Sequence, residues 1–133
     1  MAADLRVEHF AINVADPVAM AQWYCQHLNM QIVRQGDPPD HTHFMADASG
    51  RMLLEIYNNP QDQVPDYSSM HPQILHIAFA TEDAQATHDR LVAAGAEALG
   101  GVNETPRGDH MAMLRDPWGL VVQLCQRAES MPS

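Results

Sequence analysis

An internal repeat constrains the fold of this chain more than any other feature of its sequence. When the sequence is shifted by 67 residues, the interval between His9 and His76, the segment VEHFAINVAD (7–16) falls on ILHIAFATED (74–83). In both segments apolar residues alternate with other residues, which is the period of a β-strand. Each histidine falls on the face opposite to the apolar row. We therefore expect two similar strands that each carry one histidine away from the core.

Each predicted strand is followed by the start of a predicted helix. Asp16 stands before Pro17, which places a capping carboxylate ahead of a proline at the first helical position. An apolar stripe then predicts a helix to about residue 29. In the second copy Asp83 precedes an alanine-rich segment, and Gly95 stands where a left-handed C-terminal cap is expected. The order of strand and helix thus repeats along the chain.

The repeat continues into a hairpin in each half. HTHFMADASGRMLLEI (41–56) resembles HMAMLRDPWGLVVQL (110–124), with a leading histidine, an aspartate that opens a turn and a glycine that closes it. The alignment needs one extra residue after Gly50. Between helix and hairpin, MQIVRQG (30–36) and AEALGGV (96–102) are plausible short strands.

These segments together predict an α+β fold made of two tandem βαβββ modules. Module one covers about 5–57 and module two about 73–126. The segment 58–72 has three prolines and little apolar content, which is typical of a connection. The period is too long for a solenoid, so we expect both modules to form a single domain over residues 1–133.

The charge and the basic residues exclude several functions. A formal charge of -10 at pH 7 argues against nucleic acid and anionic membrane surfaces as partners. All seven basic residues are arginines, so Schiff-base catalysis and a P-loop lysine are impossible. Cys25 and Cys125 lack the spacing of a disulfide framework or a thiol zinc site. Small molecules or proteins remain as partners. The lone cysteines favour the cytoplasm, and with no long apolar run the sequence predicts a soluble protein.

Strand parity places four polar side chains on the faces turned away from the helices. In the strand that contains Leu54 and Ile56, those two residues continue the helix-facing row, and the residue between them faces the other way. The four side chains are His9, Glu55, His76 and Gln123. Their neighbours on these faces are mostly apolar, which favours a lined cleft over a freely solvated surface.

These residues resemble a known family. Paired βαβββ modules, a ligand-type residue on the first and last strand of each, the turn Asp116-Pro117-Trp118-Gly119 and a helix ending in WYCQHLNM (23–30) are similar to the glyoxalase/bleomycin resistance/extradiol dioxygenase group. That group is also called the vicinal oxygen chelate superfamily. The resemblance covers about residues 5–126.

The resemblance implies a cupped mixed sheet that holds one divalent metal ion. His9 and His76 match the first-strand ligands, and Glu55 and Gln123 match the last-strand ligands of modules one and two. Imidazole, carboxylate and amide donors suit zinc, nickel, cobalt, manganese or iron(II). A homodimer is implied on the same ground.

Three functions fit this resemblance. Gln123 departs from glyoxalase I, which usually has glutamate there, but exchange of the modules gives an order similar to methylmalonyl-CoA epimerase and some glyoxalase I enzymes. Glu55 would then be the catalytic base of a metal-dependent lyase or isomerase that moves a proton next to a metal-bound carbonyl. The alternatives are an iron(II) extradiol-type dioxygenase and a resistance protein that sequesters a small molecule.

A structural role is the simplest explanation of any single strand histidine. The equivalent positions of His9 and His76, joined by an oxygen ligand in each module, favour a metal site instead. Four further histidines are expected at the surface or in loops: His27, His43, His71 and His88.

Overall fold

The chain divides into two compact units in a computed structural model, which describes residues 4–131. The division falls between Pro65 and Asp66. The first unit contains β1 (Phe10–Asn13), α1 (Pro17–His27), β2 (Gln31–Gln35), β3 (His43–Ala46) and β4 (Met52–Tyr57). The second contains a short 3₁₀ helix (Tyr67–Ser69), β5 (His76–Ala80), α2 (Ala84–Ala93), β6 (Glu97–Ala98), β7 (Asn103–Glu104), β8 (His110–Arg115) and β9 (Val121–Gln126).

Each unit has one mixed sheet with the same strand order. The order is β1-β4-β3-β2 in the first unit and β5-β9-β8-β6 in the second, where β7 also pairs with β8. The first and last strands are parallel in both, with Phe10 opposite Leu54 and Ile77 opposite Val122. The α+β class and the repeated modules are therefore confirmed, and β7 is an addition that the sequence pattern missed.

The extra residue of the first hairpin forms a β-bulge. Met45 pairs with Leu54 and Ala46 pairs with Met52, so Leu53 has no partner of its own on β3. The hairpin of β8 and β9 pairs without such a break. The bulge takes up the extra residue, so beyond it successive side chains again alternate between the two faces of the sheet. Glu55 therefore faces away from the helix, as predicted.

The helix boundaries follow from the predicted caps. The Asp16 carboxylate accepts a hydrogen bond from the Ala19 N–H at 3.1 Å, and that of Asp83 accepts one from the Ala86 N–H at 3.0 Å. Gly95 has φ +109°, the left-handed conformation expected after α2. Each helix packs on its own sheet, and the buried side chains include Ile12, Met20, Tyr24, Met45 and Ile56 in one unit and Leu91, Ala112, Leu114, Val122 and Leu124 in the other.

The segment before β5 is tied to the second hairpin by Arg115. Its guanidinium donates hydrogen bonds to the carbonyls of Tyr67, Met70 and Gly119, each at 3.0 Å. Part of the predicted connection is thus an ordered component of the second unit. Within residues 4–131, no helix is long and apolar enough to cross a membrane.

Two of the four histidines expected at the surface are buried, so the prediction is wrong for them. His43 is 2% exposed because it lies opposite Ile56 on the helix-facing side of the sheet. His88 is 9% exposed because it shares the buried stripe of α2 with Ala84 and Leu91.

Candidate functional site

The first unit brings two of the predicted site residues together. Glu55 lies on β4 opposite Ala11 of β1, and His9 immediately precedes β1. The Nε2 atom of His9 is 3.4 Å from the Oε1 atom of Glu55. The Glu55 side chain is 19% exposed and that of His9 34% exposed, so both are partly shielded but open to a ligand.

The contacts of His9 determine which of its nitrogens can bind a cation. Its Nδ1 atom lies 2.9 Å from the Oε1 atom of Glu8, and a carboxylate can only accept, so Nδ1 carries a proton. In the neutral ring, Nε2 then presents a lone pair to Glu55. Two acceptors at this distance repel each other unless a proton or a metal cation lies between them. The pair is therefore suited to binding a positive charge.

Phe44 is a neighbour of this pair that the sequence did not identify. It lies directly opposite Glu55 in the pairing of β3 with β4, and thus on the same face. Its ring meets the imidazole of His9 edge to face, with centroids 5.5 Å apart and an interplanar angle of 87°. This contact restricts the orientation of the His9 ring. Counting back from the Gly50 turn pairs Phe44 with Leu54, and the bulge at Leu53 shifts its partner to Glu55.

The second unit holds the other two predicted residues on one sheet face. His76 lies opposite Val121, and Gln123 lies opposite Ala78, in the parallel pairing of β5 with β9. The Nδ1 atom of His76 donates to the carbonyl of Pro72 at 2.8 Å. Because a carbonyl can only accept, the lone pair of the neutral ring is on Nε2. Histidines that bind metals commonly hold their second nitrogen in this way.

Gln123 has a thiol neighbour on the same face. The Sγ atom of Cys125 lies 3.6 Å from the Oε1 atom of Gln123, so the thiol donates a weak hydrogen bond. Burial raises the pKa of Cys125, which keeps its thiol protonated at neutral pH. The donated bond fixes the amide with its oxygen toward Cys125 and leaves a second lone pair on that oxygen.

The predicted metal site consists of imidazole, carboxylate and amide donors. Among residues 4–131, no three histidine, cysteine, aspartate or glutamate side chains lie together in a cluster that could hold a metal ion. Each unit supplies one imidazole with a free Nε2 and one oxygen donor. These donors are of the kinds that borderline divalent ions accept.

His110 lies away from these residues although it repeats His41. It pairs with Gln126, which is on the same side of the sheet as Leu124 and thus faces α2. The side chain of Gln126 accepts a hydrogen bond from the Ala84 N–H at 2.9 Å. His110 therefore belongs to the surroundings of the α2 N-terminus and not to the face that carries Gln123.

Two repeated sheets, each with a histidine and an oxygen donor on one face, characterise this fold. Comparison of the sequence with family models identifies the family. Residues 6–124 match the Glyoxalase/Bleomycin resistance protein/Dioxygenase superfamily. The chain belongs to this superfamily, as its repeat and its turn sequence predicted.

The chain is similar to both enzymes and binding proteins. A Vibrio cholerae protein named probable lactoylglutathione lyase is 26% identical over 131 residues, which cover 94% of this chain and 93% of that protein. The crystal structure of glyoxalase I from Zea mays has a TM-score of 0.74 at 21% identity and covers 94% of this chain and 46% of the maize chain. TnmS3, an antibiotic binding protein from Streptomyces, has a TM-score of 0.72 at 22% identity, and the match covers 95% of this chain and 98% of the TnmS3 chain. The two structures show a shared fold.

Proposed function

We propose that the protein is a glyoxalase-like, metal-dependent lyase or isomerase that moves a proton on a carbon next to a substrate carbonyl. The observation that carries the proposal is the close approach of Nε2 of His9 to Oε1 of Glu55, at 3.4 Å. Membership of the superfamily and the name of the Vibrio relative support the same reaction class.

The proposed ligands are one imidazole and one oxygen donor from each unit. His9 and Glu55 are the pair of the first unit, and His76 and Gln123 that of the second. With a single carboxylate among them, this set leaves a divalent ion with a net positive charge. A zinc, nickel, cobalt, manganese or iron(II) ion bound there would polarise the carbonyl of the substrate.

Glu55 is the proposed base, because it is the one proposed ligand that can take a proton from carbon. An amide such as Gln123 cannot accept a proton at neutral pH. The Glu55 carboxylate takes the proton from the substrate carbon, the electron pair moves toward the carbonyl, and the same group returns the proton to the neighbouring position. Glu8 and Phe44 hold the ring of His9 beside this carboxylate throughout.

Metal analysis and solvent isotope exchange test the proposal. We expect purified protein to retain a stoichiometric divalent ion, and His76→Ala and Glu55→Ala each to lose it. His27→Ala is the matched control, since it removes an imidazole at the last residue of α1 and should retain the ion. Substrates to be screened are thiol adducts of 2-oxo aldehydes, epimerisable acyl thioesters and catechols.

The proposed reaction exchanges a carbon-bound proton of the substrate with solvent deuterium. Stoichiometric iron with oxygen uptake and no exchange would replace the proposal with a ring-cleaving dioxygenase. A protein without metal that binds these compounds unchanged would be a sequestering protein. Sedimentation of the same sample tests the homodimer that the resemblance implies.

A further inference from the structure

A row of side chains crosses the first sheet from the His9–Glu55 pair to an arginine. Ala11, Glu55, Phe44 and Arg34 are successive partners in the pairings of β1, β4, β3 and β2, so they share one face. The guanidinium carbon of Arg34 lies 5.8 Å from the centroid of the Phe44 ring. This distance is within the range of a cation–π contact. Arg34 is thus directed along the row toward the proposed site.

Arg34 holds its charge without a carboxylate partner. Within residues 4–131, the side-chain ion pairs within 4.0 Å are His9 with Glu8 and with Glu55, His88 with Asp89, and Arg127 with Asp109. Arg127 is the one arginine among these pairs, so Arg34 is distinguished by its contact with the Phe44 ring and not by the lack of an acid. The aromatic ring orients the guanidinium without neutralising it, and its N–H donors stay available to a ligand.

We propose that Arg34, supported by Phe44, is the subsite for an anionic group of the substrate. The cation lies two strands from Glu55, a separation of about 10 Å between the backbones. A carboxylate or phosphate on Arg34 would leave the other end of a short acyl compound beside His9 and Glu55. The substrate class is therefore an anionic carbonyl compound. The position of the reacting end rests on the proposed function, whereas the anionic end rests on Arg34 and Phe44 alone.

Anion binding is tested without any turnover by NMR of the arginine side chains. With seven arginines in the chain, the Nε–Hε spectrum has few signals to assign. We expect succinate or inorganic phosphate to shift the Arg34 signal saturably, and neutral succinamide to leave it in place. A preference between succinate and phosphate identifies the group as carboxylate or phosphate. Arg51, which is exposed between β3 and β4 of the same unit, is the internal control.

Variants connect this binding to the residues of the row. In Arg34→Gln the saturable shift of the Phe44 backbone amide by the preferred anion should disappear, while Arg51→Gln should keep it. Phe44→Leu should weaken binding, since it removes the ring that orients the cation. If Arg34 and Arg51 respond alike and without saturation, or if neither responds, the subsite is refuted.

Turnover separates the failure of the subsite from the failure of the proposed function. The substrates are the methylglyoxal adducts of 3-mercaptopropionate and of 3-mercaptopropionamide, which differ only in charge. We expect kcat/KM to favour the anionic adduct by about tenfold to a hundredfold. The preference should vanish in Arg34→Gln, fall in Arg34→Lys and persist in Arg51→Gln. Equal turnover of the two adducts would refute the Arg34 subsite but not the proposed proton-transfer reaction. If neither adduct is turned over while the Arg34 signal still shifts saturably, the proposed reaction on these adducts is refuted and the subsite stands.

Discussion

Gly119 is packed against the backbone of Ser68. A Cβ atom at Gly119 would lie 2.7 Å from both the nitrogen and the Cβ atom of Ser68. The turn that contains Gly119 is also braced from within, because the Asp116 carboxylate accepts hydrogen bonds from the N–H groups of Trp118 and Leu120. The glycine is therefore required both by its conformation and by this close approach.

The two repeats provide a controlled test of that approach. Gly50 and Gly119 close equivalent turns with φ +89° and +94°, but a Cβ atom at Gly50 would meet nothing within 4 Å. We expect Gly50→Ala to cost about 1 kcal/mol for the backbone conformation alone. Gly119→Ala should cost about 1–3 kcal/mol more, because the Ser68 backbone must move. Urea unfolding of the two variants measures the difference, and equal losses would contradict the contact.

Replacing the carboxylate of Glu55 tests its role as the base. Glu55→Gln keeps the size and an oxygen donor but cannot take a proton. We expect the deuterium exchange rate of a turned-over substrate to fall by about 10²–10⁴-fold. Glu104→Gln, on the exposed strand β7, is the matched control and should retain the rate. A variant with an unchanged rate would assign the proton transfer to another group.

The sequence predicted those features that depend on local signals and on the repeat. The caps Asp16 and Asp83 could be predicted because each precedes a helical segment. The bulge at Leu53 corresponds to the one extra residue that the alignment of the two repeats requires after Gly50. His88 was assigned wrongly, since its burial depends on which face of α2 meets the sheet.

Contacts between distant segments could not be predicted in the same way. The hydrogen bonds of Arg115 to Tyr67 and Met70 join residues 45 or more positions apart, and no local sequence pattern predicts them. The same holds for the contact between Phe44 and His9, which depends on how the residue before β1 leaves the sheet. The candidate site was therefore predicted by its ligand types and not by the side chains that orient them.

Arg115→Lys should loosen the segment that holds His76. An ammonium group cannot replace a planar guanidinium that donates to three carbonyls in different directions. We expect residues 66–72 to lose protection in hydrogen–deuterium exchange and the variant to be destabilised by about 1–3 kcal/mol. Because the Pro72 carbonyl in this segment accepts the Nδ1–H of His76, metal retention should also decrease. Arg51→Lys is the control, and unchanged protection in Arg115→Lys would contradict the bracing role.

Asp109 should make the second unit sensitive to acid. Its carboxylate accepts a hydrogen bond from the Ala128 N–H at 2.9 Å and pairs with Arg127 at 3.2 Å. The Ala128 N–H, followed by Arg127, holds the pKa of Asp109 below its ordinary value. The folded state therefore binds its proton at lower pH than the unfolded chain does. The resulting stability is present above the ordinary aspartate pKa of about 3.9 and is lost as pH falls through the folded value.

Asp109→Asn removes this pH dependence and leaves a testable difference. We expect the variant to be less stable than the wild type at pH 7 and the two to converge as pH falls through the lowered pKa of the folded Asp109 carboxyl, below which that group is protonated. Each unit contains one tryptophan, Trp23 in α1 and Trp118 in the turn between β8 and β9. In a Trp23→Phe background, the fluorescence of Trp118 reports urea unfolding of the second unit at each pH. A stability difference that stays constant as pH falls from 7 to below the lowered pKa of Asp109 would show that its carboxylate does not contribute through its charge.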